Sequence, residues 1–402
     1  MFFSVVIPTR DRPHLVKYAI NSALNQEFDD YEVIVSDNST NDETKKVVLN
    51  FDSKKLKYYR TPYPVNMCRS WEFALSKAKG KWILFLGDDD LFTSKTLKIY
   101  FNIIKSGIID ERKLKVVASR WAVLSQKSDL YKIEFLENEE KIKIVDAREQ
   151  LKKLSHVFGI EILPHSSCIR KDFYDFIRKK YGNVFFKWAP DLTSGFIALY
   201  ELALPNEKYI KIEFPVWIAG ASKESYGYGA RSNPEKVREF LSQFEEFDGK
   251  LLFSPFKKLL TLQNGILDTL LNSIHIVGEE NLKKLMGEDN FRRFYRNIIR
   301  RSYIEIIREL DNIAKYNKEY IKHIRTVKLH FIMWKIKNIL YGIVRERDYV
   351  KEVIQSRIRR FIKNLKDKKN AEVYEGRLKS FQFANLKDAI SFVENQISIE
   401  IN

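Results

Sequence analysis

The chain has 402 residues, 45% of them hydrophobic and 31% charged, which excludes a disordered or fibrous protein and allows two or three units of ordinary domain size. Two cysteines, Cys68 and Cys168, exclude a disulfide framework and a cysteine-based metal site, and fit a reducing compartment. The net charge of +17 is unevenly placed: residues 291–370 hold 23 basic and 8 acidic side chains, against 44 and 40 in residues 1–290. Chemistry and electrostatic attraction are therefore expected in different parts of the chain.

Met1–Pro8 lacks the basic start and long apolar stretch of a signal peptide and reads as a buried strand, Phe3–Ile7. A loop with proline at both ends follows, Pro8-Thr-Arg-Asp-Arg-Pro13, and then a helix with Leu15, Val16, Ala19, Ile20, Ala23 and Leu24 on one face. Tyr31–Val35 is a second strand, closed by the cap-rich Ser36-Asp-Asn-Ser-Thr-Asn-Asp42, and Leu56–Arg60 a third. A helix over Arg69–Lys79 leads to a fourth strand, Lys81–Leu86, which runs directly into Asp88-Asp89-Asp90. This alternation predicts an α/β fold, a mostly parallel central sheet flanked by helices, with ligands at the carboxyl ends of the strands. Those ends carry Thr9–Asp11, Asp37–Ser39 and Asp88–Asp90.

Val116–Val123, Glu161–Ile169 and Tyr209–Ile218 read as further strands, with helices near Ala147–Val157 and Leu192–Ala203. From Pro234 the pattern is helical and rich in Lys, Arg and Ile. Its most apolar run, Leu329–Val344, is broken by Lys335 and Lys337, whereas a membrane span needs about 20 largely uncharged residues.

Three adjacent carboxylates repel one another, and a hard divalent cation shared with substrate phosphates removes that repulsion. The alternative is a solvated turn in which Asp90 or Ser94 caps the next helix. Asp37 has two readings as well: an acceptor for a base or ribose, or an Asx-turn residue. Asp191, in Trp188-Ala-Pro-Asp-Leu-Thr-Ser194, is either a base for an acceptor hydroxyl or a helix cap. His165 either lines the acceptor site or is structural.

Val5–Pro13, Ala19–Gln26, Tyr31–Thr40 and Ala78–Asp90 together closely resemble family two of the inverting glycosyltransferases, four blocks in that family's order over about 90 residues. The resemblance implies a GT-A fold, Rossmann-like, and a weaker likeness extends to residue 232. It implies a nucleotide-sugar-binding half over 1–105, an acceptor-binding half over 106–232, and a basic helical C-terminal region over 233–402. Carried over by position, Pro8, Thr9 and Arg10 touch the nucleotide, Asp37 the base, and Asp88 the ribose or donor sugar. Asp89 takes the metal position of the DXD motif, with Asp90 beside it, and the metal implied is manganese or magnesium. Asp191 matches the family's base, ahead of a helix, with His165 and Trp188 towards the acceptor. Gly87 stands where the family often has Asp, and Arg10 where an aromatic is common. The arginine that often precedes the donor-site helix has its nearest counterpart, out of register, in Arg69.

Ser222–Ser232 contains a Gly-x-Gly that follows no βαβ start, and is expected to order over the donor diphosphate through Lys223 or Arg231. Residues 291–370 either pack on the catalytic part or rest on an anionic membrane surface, as a basic amphipathic helix does. No nucleic-acid-binding module accompanies the charge. The reading is a cytoplasmic enzyme, peripheral on the inner face of the membrane if the basic stretch docks there. It moves a sugar from a nucleotide diphosphate donor, uridine-based, to a glycan or lipid-linked acceptor. A sugar nucleotidyltransferase would carry a glycine-rich loop after the first strand, where Pro8-Thr-Arg-Asp11 stands, and a decayed, non-catalytic interaction protein would not retain Asp37, Asp88, Asp89 and Asp191.

Overall fold

The first, second and fourth strands carry apolar side chains on both faces, so helices must cover both sides. The computed structural model, which describes residues 1–127, 130–154, 159–220, 233–245, 247–345 and 377–401, shows this arrangement. Strands β1 (Phe3–Thr9), β2 (Tyr31–Asp37), β3 (Leu56–Arg60) and β4 (Trp82–Phe85) alternate with helices α1 (Pro13–Leu24), α2 (Glu43–Leu49) and α3 (Met67–Lys77). They pair in parallel in the order β3-β2-β1-β4. Val5, Val33 and Leu84 point into one core with Val16 and Ile20 of α1; Val6, Ile34 and Ile83 point into the other with Leu75 of α3.

Beyond β4 come β5 (Leu91–Phe92), α4 (Thr96–Lys105), β6 (Val116–Lys127), β7 (Leu130–Glu137), β8 (Ile142–Asp146) and α5 (Ala147–Lys153). A single 3₁₀ turn, Pro164–Ser166, opens β9 (Ser167–Arg170), followed by α6 (Lys171–Tyr181), α7 (Pro190–Ala203) and β10 (Lys208–Gly220). Here the sheet is mixed: β9 runs antiparallel to both β4 and β6, whereas β10 lies parallel along β6. The mostly parallel pattern expected from the alternation thus describes β1–β4, and later strands run both ways. Glu161–Leu163, read as the start of a strand, instead leads into the 3₁₀ turn at Pro164.

Helix α7 explains the placement of the second half. It is buried along nearly its whole length, with Phe196, Ile197, Leu199 and Leu202 in the core. Gly195 lets it approach the segment ahead of β9: a Cβ there would lie 2.1 Å from the Ile162 carbonyl oxygen. This close approach sets Asp191 in the first turn of α7 beside His165.

The C-terminal part is helical, as expected: α8 (Pro234–Leu241), α9 (Leu262–Val277), α10 (Glu279–Met286), α11 (Glu288–Ile313) and α12 (Tyr320–Arg345). Leu270 and Ile274 of α9 and Phe294 and Ile298 of α11 join the core under α7. The end of the chain then departs from the helical pattern. Strand β11 (Arg377–Phe383) pairs antiparallel with β7, and helix α13 (Leu386–Ile401) returns to the sheet through Phe392, whose ring lies 4.4 Å from Phe381.

Gly195→Ala is expected to cost about 1–3 kcal/mol by overpacking against the Ile162 carbonyl. Urea denaturation checks this, and a midpoint equal to wild type would mean that the segment ahead of β9 yields freely.

Candidate functional site at the carboxyl edge of the sheet

Strand β1 lies between β2 and β4, so its end meets both acidic loops. Thr9 is in register with Asp37, and its hydroxyl donates to Asp88 Oδ2 at 2.8 Å. With neighbouring strands about 4.8 Å apart, the ends of β2 and β4 stand about 10 Å from one another, within the span of a nucleoside diphosphate. The loop between β1 and α1 ties them together. Asp11 adopts φ 56°, a left-handed conformation that Asp tolerates. Its Oδ1 accepts the backbone N–H of Thr40, 2.8 Å away, in the loop after β2.

Arg12, which the sequence did not single out, is central. Its Nη1 donates to Asp88 Oδ1 at 2.8 Å and lies 3.8 Å from Asp89 Oδ2. Burial holds the Asp88 carboxyl above its ordinary value, and Arg12 and Thr9 work against that rise. Asp90 is pushed well above the carboxylate range by burial and by the Asp89 charge beside it. Neither Asp90 nor Ser94 caps α4, which starts after Lys95 with no side-chain cap. Instead Asp90 Oδ1 accepts the backbone N–H of Gly220, the last residue of β10, at 2.9 Å. The chain passes so close there that a Cβ on Gly220 would lie 2.0 Å from the Asp89 carbonyl oxygen. A Cβ on Gly87 would meet Asp90 Oδ2 at 2.5 Å, so Asp90 fills the space that an acidic side chain at position 87 would take.

These hard carboxylate oxygens suit magnesium or manganese, which take one or two protein carboxylates and complete their shell from substrate phosphates. Among the described residues no three His, Cys, Asp or Glu side chains converge to hold an ion by themselves. A cation here would therefore need the substrate's oxygens.

The other expected residues are placed as follows. Asp37 is fully buried, its Oδ2 taken by the Tyr58 hydroxyl at 2.7 Å and its Oδ1 by the Ser39 N–H at 2.9 Å. Through these bonds it shapes the loop after β2. Burial, with the Asp37 carboxylate beside it, raises the Tyr58 phenol. Thr9 is likewise buried and acts on Asp88, while Pro8 and Arg10 are half-buried. Arg10 donates to Gln243 Oε1 at 3.0 Å and to the Val65 carbonyl. Arg69 does not enter the nucleotide site: its exposed guanidinium forms a two-bond fork with Glu245. Trp188, expected at the acceptor, is 3% exposed, packs on Phe244, and donates its indole N–H to Asp268 at 2.6 Å, which makes it a core residue. Lys223 and Arg231 lie outside the described residues.

Asp191 and His165 are brought together, with Oδ2 and Nδ1 4.0 Å apart. Asp191 makes no cap; the N-cap of α7 is Ala189, which has no side-chain cap bond either. Burial lowers the His165 pKa and the Asp191 charge opposes that fall, so the ring is neutral near pH 7. His165 reaches this edge because β9 runs antiparallel to β4. The 3₁₀ turn that precedes β9 therefore lies beyond the carboxyl end of β4, on the side of the acid cluster.

Residues 4–143 match the sequence model described as Glycosyl transferase family 2. Over 97 residues the chain is 39% identical to the Campylobacter jejuni GalNAc(5)-diNAcBac-PP-undecaprenol beta-1,3-glucosyltransferase, an alignment covering 23% of this chain and 31% of that one. Over 101 residues it is 27% identical to the Escherichia coli UDP-Glc:alpha-D-GlcNAc-diphosphoundecaprenol beta-1,3-glucosyltransferase WfgD, covering 25% and 40%. The chain thus spans only 31% and 40% of the length of these curated relatives. Among solved structures it is similar to residues 1–349 of Staphylococcus aureus TarS, with 18% identity, a TM-score of 0.45, and 83% of this chain and 92% of that one covered.

Arg12→Met keeps the length of the side chain and removes the charge facing Asp88 and Asp89. Leaving a buried carboxylate without this donor is expected to cost about 1–3 kcal/mol, measured by urea denaturation at pH 7. An unchanged midpoint would show that Thr9 alone satisfies Asp88.

Proposed function

We propose that the chain is a metal-dependent, inverting glycosyltransferase that moves a sugar from a uridine diphosphate donor to a hydroxyl of a glycan or lipid-linked acceptor, in the assembly of a bacterial surface glycan. The observation that carries this reading is the acid cluster at the end of β4, held by Thr9 and Arg12 one strand away from the loop after β2. The printed names of the relatives support the donor and acceptor classes: one acts with UDP-Glc, and both act on undecaprenol-linked glycans.

Asp89, with Asp90 behind it, would hold a manganese or magnesium ion, which neutralises charge on the departing diphosphate. Arg12, already beside Asp88 and Asp89, adds a fixed positive charge at the same edge. Asp191 takes the proton from the acceptor hydroxyl as that oxygen bonds to the anomeric carbon and the bond from carbon to the diphosphate oxygen breaks. The neutral His165 ring beside it limits the rotation of the carboxylate and brings no competing cation.

Two variants separate these roles. Asp89→Ala is expected to abolish the manganese-dependent thermal stabilisation by UDP, which in wild type reaches about 2.7 kcal/mol at a hundredfold excess over Kd. Asp191→Ala keeps that stabilisation and loses transfer by about 10²–10⁴-fold, with nucleoside diphosphate as the leaving product in wild type. Wild-type turnover by Asp191→Ala removes its assignment as base, and release of pyrophosphate in place of nucleoside diphosphate removes the reading.

We further propose that the basic helical part rests on an anionic lipid surface on the inner face of the membrane. In α12, Ile324 and Val327 are buried towards α11, whereas Leu329, Ile332, Met333 and Ile336 are 59%, 46%, 57% and 43% exposed. Lys322, Arg325 and Lys328 are exposed on the same helix, the combination that places a helix in a lipid interface. Among the described residues no helix is long and apolar enough to cross a membrane. Sedimentation with vesicles of phosphatidylserine and phosphatidylcholine is expected to carry the protein down at moderate salt. The double variant Leu329→Asp with Ile332→Asp is expected to stay in solution; equal sedimentation of both proteins removes the proposal.

A further inference from the structure

Two tryptophans at the carboxyl edge have no part in the phosphate or proton chemistry described above. Trp121 of β6 and Trp217 of β10 are in register on adjacent parallel strands, with ring centroids 5.6 Å apart and planes tilted by 30°. His165 stands edge-on to both, at 6.4 Å and 5.9 Å. Trp217 is 2% exposed, but Trp121 is 36% exposed, an open indole in the middle of a sheet that could have carried a small polar residue.

The group is connected in two directions. Through His165 it reaches the Asp191 carboxylate, and the side chains of both remain about a quarter exposed, at 25% and 27%. Through β10 it reaches Gly220, three residues beyond Trp217, which is clamped to Asp89 and Asp90. The open ring therefore stands at the meeting of the base with the acid cluster, where an acceptor must lie for its hydroxyl to be activated. A hexopyranose presents an apolar face of C–H bonds and a rim of hydroxyls. The indole plane matches the first. A neutral imidazole, donor at one nitrogen and acceptor at the other, and a carboxylate match the second. An aliphatic chain would leave those polar groups facing hydrocarbon, at a desolvation cost.

We propose that Trp121, backed by Trp217 and edged by His165, is the stacking platform for a pyranose ring of the acceptor, so that the acceptor is recognised through a saccharide unit. The proposal rests on the reading of Asp191 as base and names the substrate class of that site. The rival occupant of an open indole is the base of the donor nucleotide.

The test uses the full chain with UDP and manganese, and as probes the methyl β-glycosides of glucose, galactose, N-acetylglucosamine and N-acetylgalactosamine. Saturation-transfer NMR is expected to show saturation concentrated on the ring C–H protons of at least one glycoside in wild type. That signal is lost in Trp121→Ala and kept in Trp121→Phe, which retains a flat ring. In transfer assays with the same glycosides, Trp121→Ala raises the acceptor KM about tenfold and lowers kcat less, while Trp121→Phe stays within about threefold. The platform is overturned if no glycoside gives a signal, if Trp121→Ala keeps it, or if calorimetry shows UDP binding weakened in Trp121→Ala, the signature of a stacked base. Donor hydrolysis by wild type is read separately. Its absence with the saturation signal intact removes the enzyme reading and leaves a saccharide-binding surface; its presence without the signal removes the platform alone.

Discussion

A carboxylate buried at the end of a strand has to be met by donors, and Asp88 is met by two side chains and the Arg10 backbone N–H from a single short loop. The Thr9 hydroxyl takes one oxygen and the Arg12 guanidinium the other, each at 2.8 Å. Because Thr9 ends β1 and Arg12 precedes α1, these two bonds join the ends of β1 and β4. Asp11, turned by its left-handed backbone, joins the same loop to the one after β2 through Thr40. Three strand ends become one unit, and the proposed cleft for a nucleotide and a cation follows from it. Charged hydrogen bonds of this kind are among the strongest available to a protein, and they are stiffest where water is excluded.

The second half of the domain is set against this unit by close backbone approaches more than by charge. Gly220 brings β10 onto the acid loop, and Gly195 brings α7 onto the segment ahead of β9. Together they settle where His165, Asp191 and the two tryptophans stand relative to the carboxylates. The C-terminal part is tied to the same edge. Arg10 reaches Gln243 and Arg69 reaches Glu245, both just beyond α8, while Glu394 of α13 accepts the backbone N–H of Ser94 at 3.0 Å, shortly after the acid cluster. The loops that frame the candidate site are thus also those that hold the helical part in place.

The charge asymmetry has a structural counterpart. The helices that carry the excess of Lys and Arg bury one stripe against each other, with Tyr303 stacked on Phe331 at 5.3 Å, and leave the Leu329–Ile336 stripe open. An apolar stripe with lysines and arginines along it favours a surface that is itself apolar below and anionic above.

How much of this was legible beforehand can be judged from particular residues. The period-two apolar runs at Phe3–Ile7, Tyr31–Val35 and Lys81–Leu86, separated by a helical pattern, determined by themselves that β1, β2 and β4 form a sheet covered on both faces. They also determined that Asp37 and Asp88–Asp90 gather at one edge, since parallel strands point their carboxyl ends the same way. Strand β11 escaped because it lies far along the chain from its partner, β7. Which polar side chains look outward was decided only by the tertiary structure. Asp37 is turned to Tyr58, Arg69 to Glu245 and Trp188 to Asp268, while Arg12 and Trp121 stand at the cleft. A side chain's exposure is set by whatever packs on it, and here the partners lie from 21 to 176 positions away. Local spacing carries the period of a strand or helix, but not the identity of such a distant neighbour.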